Sequence, residues 1–273
     1  MKLSLFDEED FAQLSPVFRG RRGRFLAKIV MCILALNKIN KVYAKTCHLL
    51  NNSFTTAWLK DLNVRYIVEN REVLNRFQEG AFITVSNHPF GFIDGIIVID
   101  LLTSVRPDFK FMVNSVLMNL RPIEGNMIGV KPTTTRSGSS VENTTGLKET
   151  LRHLKEGHVM GFFPAGAVSN YNEHKFRVTD REWQLTVIRM IQMAGVPVIP
   201  IHISGSNSWF FNLLGRINWQ LRSLRLPYEI LNKHKSIIKV TIGEPIALDK
   251  QNQYKKTEDL ASFLRATTYS LIK

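Results

Sequence analysis

Only two cysteines, Cys32 and Cys47, occur in the 273 residues. Two thiols build no disulfide framework and match no zinc-ligand spacing. They read as half-buried apolar residues, in keeping with a reducing compartment. Long apolar runs are missing as well. The longest, Ile29 to Leu36, falls far short of the about 20 residues that a bilayer-spanning helix needs. Met1 to Asp10 is acidic rather than basic, so no secretory leader is expected. Neither Ser86 nor Ser169 sits in a Gly-x-Ser-x-Gly elbow, which removes the usual support for a serine hydrolase. No nucleic-acid motif and no basic strand interleaved with aromatics is present, so nucleic acid is not an expected partner. No metal site is expected either, because His88 and Asp94 have too few partners nearby in the chain. Acidic residues are absent from positions 11–50, a stretch with eight Lys or Arg.

What is present is positive charge and a sizeable apolar fraction. The net charge is +13, with 44% hydrophobic and 22% charged residues. That composition allows a large core and favours an anionic partner, such as an anionic bilayer or an acidic carrier protein. Arg19, Arg21, Arg22 and Arg24 lead into Phe25, Leu26, Ile29, Val30, Ile33 and Leu36, several of them at helical spacing. An apolar stripe flanked by cations fits a helix lying in a membrane surface; the alternative is a basic helix packed on its own domain, but the arginine cluster and the absence of acids go beyond what packing requires. Residues 1–60 are therefore expected to form a basic, amphipathic, membrane-associating segment with Arg21, Arg22, Arg24, Phe25, Leu26 and Ile29 at the lipid. Residues 61–273 are expected to form one α/β domain.

Strand and helix patterns alternate from there on. Strands are expected at 64–69, 81–86, 109–113, 158–163, 196–203 and 236–242, the fifth made irregular by Pro197 and Pro200. Helices are expected at 71–77, 95–103, 115–120, 146–155, 182–194 and 257–271, with a loop at 133–145. Such alternation predicts a mainly parallel central sheet flanked by helices.

The strongest chemical signal is Ser86-Asn87-His88-Pro89-Phe90-Gly91-Phe92-Ile93-Asp94-Gly95. It follows a strand and precedes an apolar helix, where open α/β sheets bind ligands. Pro89 and Gly91 forbid continuous helix, so a bent loop can bring Asp94 to one ring nitrogen of His88. The carboxylate then fixes the tautomer and leaves the other nitrogen basic toward a hydroxyl. The plainer alternative is that Asp94 only caps the helix and His88 only turns the chain.

Asn87 to Gly95 resembles the histidine–aspartate block of the glycerolipid acyltransferase (PlsC-like) superfamily, with one residue more between His88 and Asp94 than is usual there. That spacing is similar to the branch of lyso-ornithine-lipid and glycine-lipid O-acyltransferases and hemolysin-like proteins. Lys110 to Asn114 resembles the second block. Phe162-Phe163-Pro164-Ala165-Gly166-Ala167-Val168-Ser169 resembles the third, and Gly195 to Ile201 the closing one. The resemblance spans residues 37–246. It implies a PlsC-like fold and an O-acyltransferase with His88 and Asp94 as catalytic residues. Asn87, Pro89, Phe90, Gly91, Lys110, Asn114, Pro164, Ala165, Gly166, Ser169 and Arg177 are expected at the substrate. Acyl carrier protein or coenzyme A thioester is the expected acyl donor, with no cofactor beyond it, at the cytoplasmic face of the inner membrane. The third block lacks the arginine that phosphate-recognising members carry and the glutamate of the branch itself, replaced by Ala167. The first departure points to a phosphate-free lyso-aminolipid acceptor. Backbone N–H groups near Gly166, or within Asn87 to Gly91, are the candidates for an oxyanion hole.

Overall fold

A computed structural model describes residues 3–131, 141–173 and 176–272. Asp7 starts helix α1 (Glu8–Leu14) by accepting the N–H groups of Glu9 and Asp10, a side-chain cap. The acidic first turn of α1 then pairs with the basic α2 (Gly20–Ile33), through Arg24 to Glu9 and Lys28 to Glu8. Ala35, left-handed at φ 59°, ends that helix and starts α3 (Leu36–Thr46). The expected stripe is split by this break. α2 packs through Gly23, Ala27 and Met31 and leaves Phe25, Leu26, Ile29 and Ile33 exposed. Cys32 is exposed on the same helix, whereas Cys47 is buried, so the two thiols are not alike.

Helix α4 (Asn51–Asp61) precedes the first strand. Phe54, Trp58 and Tyr43 form an aromatic cluster that reaches Phe92, the first residue of the apolar helix Phe92–Thr103. Residues on both sides of position 60 thus enter one core. Buried Asp100 reinforces the junction, accepting from Asn52, Thr55, Thr56 and the hydroxyl of Tyr66.

The remaining elements are β1 (Arg65–Glu69), α5 (Glu72–Asn75), β2 (Ile83–Ser86), α6 (Phe92–Thr103), β3 (Lys110–Asn114), β4 (Met127–Val130), α7 (Val141–Lys155) and β5 (Met160–Phe162). They continue as β6 (Asn170–Asn172), β7 (Arg177–Thr179), α8 (Leu185–Ala194), β8 (Val198–Ile203), α9 (Trp209–Ile217), α10 (Trp219–Leu231), β9 (Ile237–Ile242), α11 (Leu248–Gln251) and α12 (Thr257–Ser270). Seven strands form one mixed sheet in the order β1-β9-β8-β2-β5-β3-β4, and β6 pairs with β7 in a separate ribbon. All neighbours in the large sheet are parallel except β8 and β9. The expected helix at 115–120 is a 3-10 turn, Ser115–Asn119. The expected loop at 133–145 lies outside the described residues up to 140, and 141–145 begin α7.

Side-chain alternation along the strands separates two apolar layers. Ile199, Ile201 and Ile203 face α4 and α6, while Ile83, Val85 and Val198 face α8 and α12. Helix α6 is apolar almost all round, which suits its burial. Pro200 does not interrupt β8. Val198 directs its N–H to Ile246, and Pro200, two residues on, faces the same side beyond the pairing with β9, which begins at Ile201.

His202 on β8 is buried, edge-on to Tyr269 with ring centroids 5.7 Å apart. Burial pushes its imidazole down from 6.5 to about 4; Lys239 adds to this and Asp180 opposes it. Between those pH values the unfolded chain binds the extra proton and the folded chain does not. Stability therefore falls as pH drops from about 6.5 toward 4. Urea unfolding across that range should show this slope in the wild type, and His202→Gln should flatten it.

Candidate active site

The central strand β2 ends at Ser86 and delivers Asn87 and His88 to the carboxyl edge of the sheet. The amide of Asn87 clamps this exit to β8, donating to Ile203 O at 2.8 Å and accepting from Ile203 N at 2.7 Å. Asn87 is thus a structural clamp within the site. Pro89 and Phe90 are buried in the turn that follows. Gly91 stands at φ 92° and ψ −119°, a region closed to residues with a Cβ, and directly precedes α6.

Asp94, wholly buried in the first turn of α6, accepts the N–H groups of Phe90 and Gly91 on Oδ2 at 2.8 and 2.9 Å. Nδ1 of His88 stands 3.0 Å from the same oxygen, within ion-pair range but without the alignment of a straight hydrogen bond. Burial raises the pKa of Asp94 above the ordinary carboxylate value, while His88 and the two amides pull it down. The imidazole is only 17% exposed and lies on the ring of Phe163, centroids 3.9 Å apart and planes 20° from parallel.

The third motif wraps beside this pair. Phe163 ends the strand region and supports the imidazole, and Ser169 N donates to His88 O at 2.8 Å. Pro164 and Ala165 are buried, and Gly166 takes the left-handed conformation at φ 61°. Of the N–H groups expected for an oxyanion, near Gly166 or within Asn87 to Gly91, those of His88, Phe90, Gly91 and Gly166 have internal acceptors. Phe90 and Gly91 are committed to Asp94, and Gly166 to Phe163 O at 2.9 Å.

Other expected contacts fall elsewhere. Lys110 opens β3 opposite Met160, which makes it a residue of the amino edge, away from His88, and it pairs with Glu149 at 3.4 Å. Asn114 lies at the carboxyl end of β3, but two strands from β2, and caps the following turn. Arg177 lines a cavity with Thr179, Arg265 and Tyr269 that does not include His88.

Several site residues carried no local signal. Asp180, on the segment after β7, is buried. It accepts from Ser169 Oγ at 2.5 Å, Trp183 Nε1 at 3.1 Å and His88 N at 3.2 Å. Lys233 is buried over the ring of Phe90, with Nζ donating to Ser206 O at 3.0 Å, and its burial lowers its basicity. Arg181 and Arg222 donate to Ala165 O and Val168 O, at 2.7 and 3.4 Å. Neither guanidinium has a carboxylate partner among the described residues.

Asp180 is best described as a positioning residue, because it holds the main chain of His88 and the third motif. In Asp180→Asn, one oxygen becomes an NH2 group facing donors. Hydrogen bonds to a charged acceptor are worth about 1.5–3 kcal/mol. Urea unfolding should register a loss of that order, and in a turnover assay kcat should fall more than KM rises.

The arrangement can deprotonate a hydroxyl, using an imidazole held by a buried carboxylate. A lyso-glycine lipid O-acyltransferase of Bacteroides thetaiotaomicron is 28% identical over 256 residues, covering 91% of this chain and 90% of the relative. One from Phocaeicola vulgatus is 27% identical over 274 residues, covering 96% and 94%. The crystal structure of the 1-acyl-sn-glycerophosphate acyltransferase PlsC from Thermotoga maritima has the same fold, with a TM-score of 0.51 at 16% identity over 90% of this chain and 87% of that one. A family model described as Acyltransferase matches residues 11–273, and the chain belongs to that family.

Proposed function

We propose that the protein transfers a fatty acyl group from an acyl thioester to the hydroxyl of a lyso-aminolipid of the glycine-lipid type. The observation that carries this reading is the 3.0 Å approach of His88 to the buried Asp94. Nε2 of His88 takes the hydroxyl proton as the oxygen attacks the thioester carbonyl. The tetrahedral adduct collapses, the C–S bond breaks, and the imidazolium returns the proton to the departing thiolate. Asp94 holds the ring and stabilises the imidazolium while it lasts. No covalent acyl-enzyme and no metal enters these steps.

The names of the two relatives support the acceptor class. A glycine lipid ends in a carboxylate, and Arg181 and Arg222 lie unneutralised on the turn beside His88. They are suited to that head group, since a guanidinium can grip a carboxylate with two parallel donors. The net charge of +13 suits an anionic donor, either acyl carrier protein or coenzyme A thioester. No helix among the described residues is long and apolar enough to cross a membrane. The exposed Phe25, Leu26, Ile29 and Ile33, with Arg21 and Arg22, fit peripheral attachment to the anionic cytoplasmic face of the inner membrane.

Purified enzyme supplied with lyso-glycine lipid and either thioester should form the diacylated product, read by mass spectrometry. General-base assistance is worth about 10²–10⁴ in rate, so His88→Ala should lose at least that much while keeping its melting temperature. Full activity in His88→Ala, or preferential acylation of lysophosphatidic acid, would overturn the reading. Arg181→Gln combined with Arg222→Gln should raise KM for the free-acid acceptor by about tenfold or more, the scale of one charge-assisted hydrogen bond, and leave KM for its methyl ester nearly unchanged.

A further inference from the structure

The antiparallel pair α9 and α10 carries an apolar face that nothing in the structure covers. Trp209 and Trp219 are 75% and 67% exposed, Ile217 is 68% exposed, and Leu221, Leu224 and Tyr228 form an exposed stripe along α10. Positions 221, 224 and 228 share one helical face, while Leu226 and Ile230 turn inward. The charge on this unit has one sign at its surface. Residues 183–228 contain no Asp or Glu, and Glu229 is buried, bonded to Ser208 and close to Arg225 and Lys233. Arg216 pairs with exposed Glu173 at 2.7 Å, and Arg225 lies over Tyr228 and Phe210 at 3.8 and 5.1 Å. Indole rings at the edge of an apolar face ringed by arginines match the chemistry of an anionic bilayer interface.

The pair is also wired to the catalytic loop. Leu226 and Val168 flank Gly91 so closely that a Cβ there would stand 3.2 Å from each. Asn207, in the turn into α9, donates to Phe90 O at 3.2 Å. Arg222 of α10 reaches the third motif at Val168 O. Helix α10 packs on α3, the helix joined to α2.

We propose that α9 and α10 form a second lipid-facing surface, which seats in an anionic bilayer at the His88 site and lets the acceptor reach the base without leaving the lipid. It rests on the peripheral-membrane reading above and is testable apart from it.

The four tryptophans make the test direct. Trp58 and Trp183 are 0% and 4% exposed, so the two mobile reporters both lie on this unit, and α2 has none. The full-length protein is mixed with vesicles of phosphatidylglycerol and brominated phosphatidylcholine, and bound protein is collected by flotation. Emission should shift to the blue and be quenched by the bromines, and Trp209→Phe and Trp219→Phe should each lose roughly half of the quenching. Combined Ile217→Ser, Trp219→Ser and Leu224→Ser should weaken vesicle binding about tenfold or more. Arg21→Ser with Arg22→Ser should weaken binding but leave the quenching of the bound fraction intact. Flotation with unquenched tryptophans would overturn this proposal alone. No flotation at all would overturn it together with the peripheral reading. Concentration-dependent dimers that the triple variant abolishes, without quenching, would assign the face to a second copy and overturn it too. Quenching in a protein that transfers no acyl group would uphold the proposal and strike the enzymatic reading instead.

Discussion

One carboxylate oxygen organises the site. Oδ2 of Asp94 receives two backbone N–H groups and faces the imidazole of His88, all within 3.0 Å. The helix N-terminus favours a negative charge there, while complete burial opposes it, and the pKa of Asp94 moves up because burial is the larger effect. A residue can cap a helix or orient a base, and the two uses look like alternatives in a sequence. Here they are one act. The donors that tie Asp94 to the turn fix where its second neighbour must stand, so the helix start and the base are aligned together.

The turn needs support from elements far away in the chain. Asn87 is clamped to β8, Phe163 provides the plate under the ring, and Asp180 holds the main chain of His88 from a third direction. Phe163 follows β5 and Asn87 follows β2, which are sheet neighbours though Val85 and its register partner Phe162 are 77 positions apart in the chain. A parallel sheet puts the ends of such strands at one edge, and His88 and the ring of Phe163 come together for that reason.

Residues whose meaning is local were legible in the sequence. Six apolar runs between turn signals became six strands, and the bend at Pro89 and Gly91 brought His88 to Asp94. Starts of elements were less so. The helix expected from Gly95 begins at Phe92, because Asp94 closes its first turn backwards onto Gly91. The helix expected from Glu182 begins at Leu185, because Trp183 is drawn to Asp180 and Gln184 N to Pro164 O. Short elements such as β4, β6 and β7 were missed, since three or four residues give no period to read. Lys110 and Asn114 were grouped by their motif, but strand order and register are set by pairings between distant segments, and these take both away from the base.

The same separation between chain order and space bears on how an acceptor is chosen. The third motif, Phe163 to Ser169, has no basic residue of its own, and read alone it gives the site no affinity for an anion. In space the turn is not without charge. Arg181 comes from the segment after β7 and Arg222 from α10, and both hold its carbonyls from outside. Burial and the neighbouring Arg181 both weaken the hold of Arg222 on its proton, so the pair is held close against its own repulsion. Two arginines gathered beside His88, neither within ion-pair range of a carboxylate among the described residues, favour an incoming anion over a neutral head group. One of the two arginines rides on α10, the helix whose other face is bare and apolar, so under the function proposed above the recognition of a head group and the contact with its surroundings would share a single element.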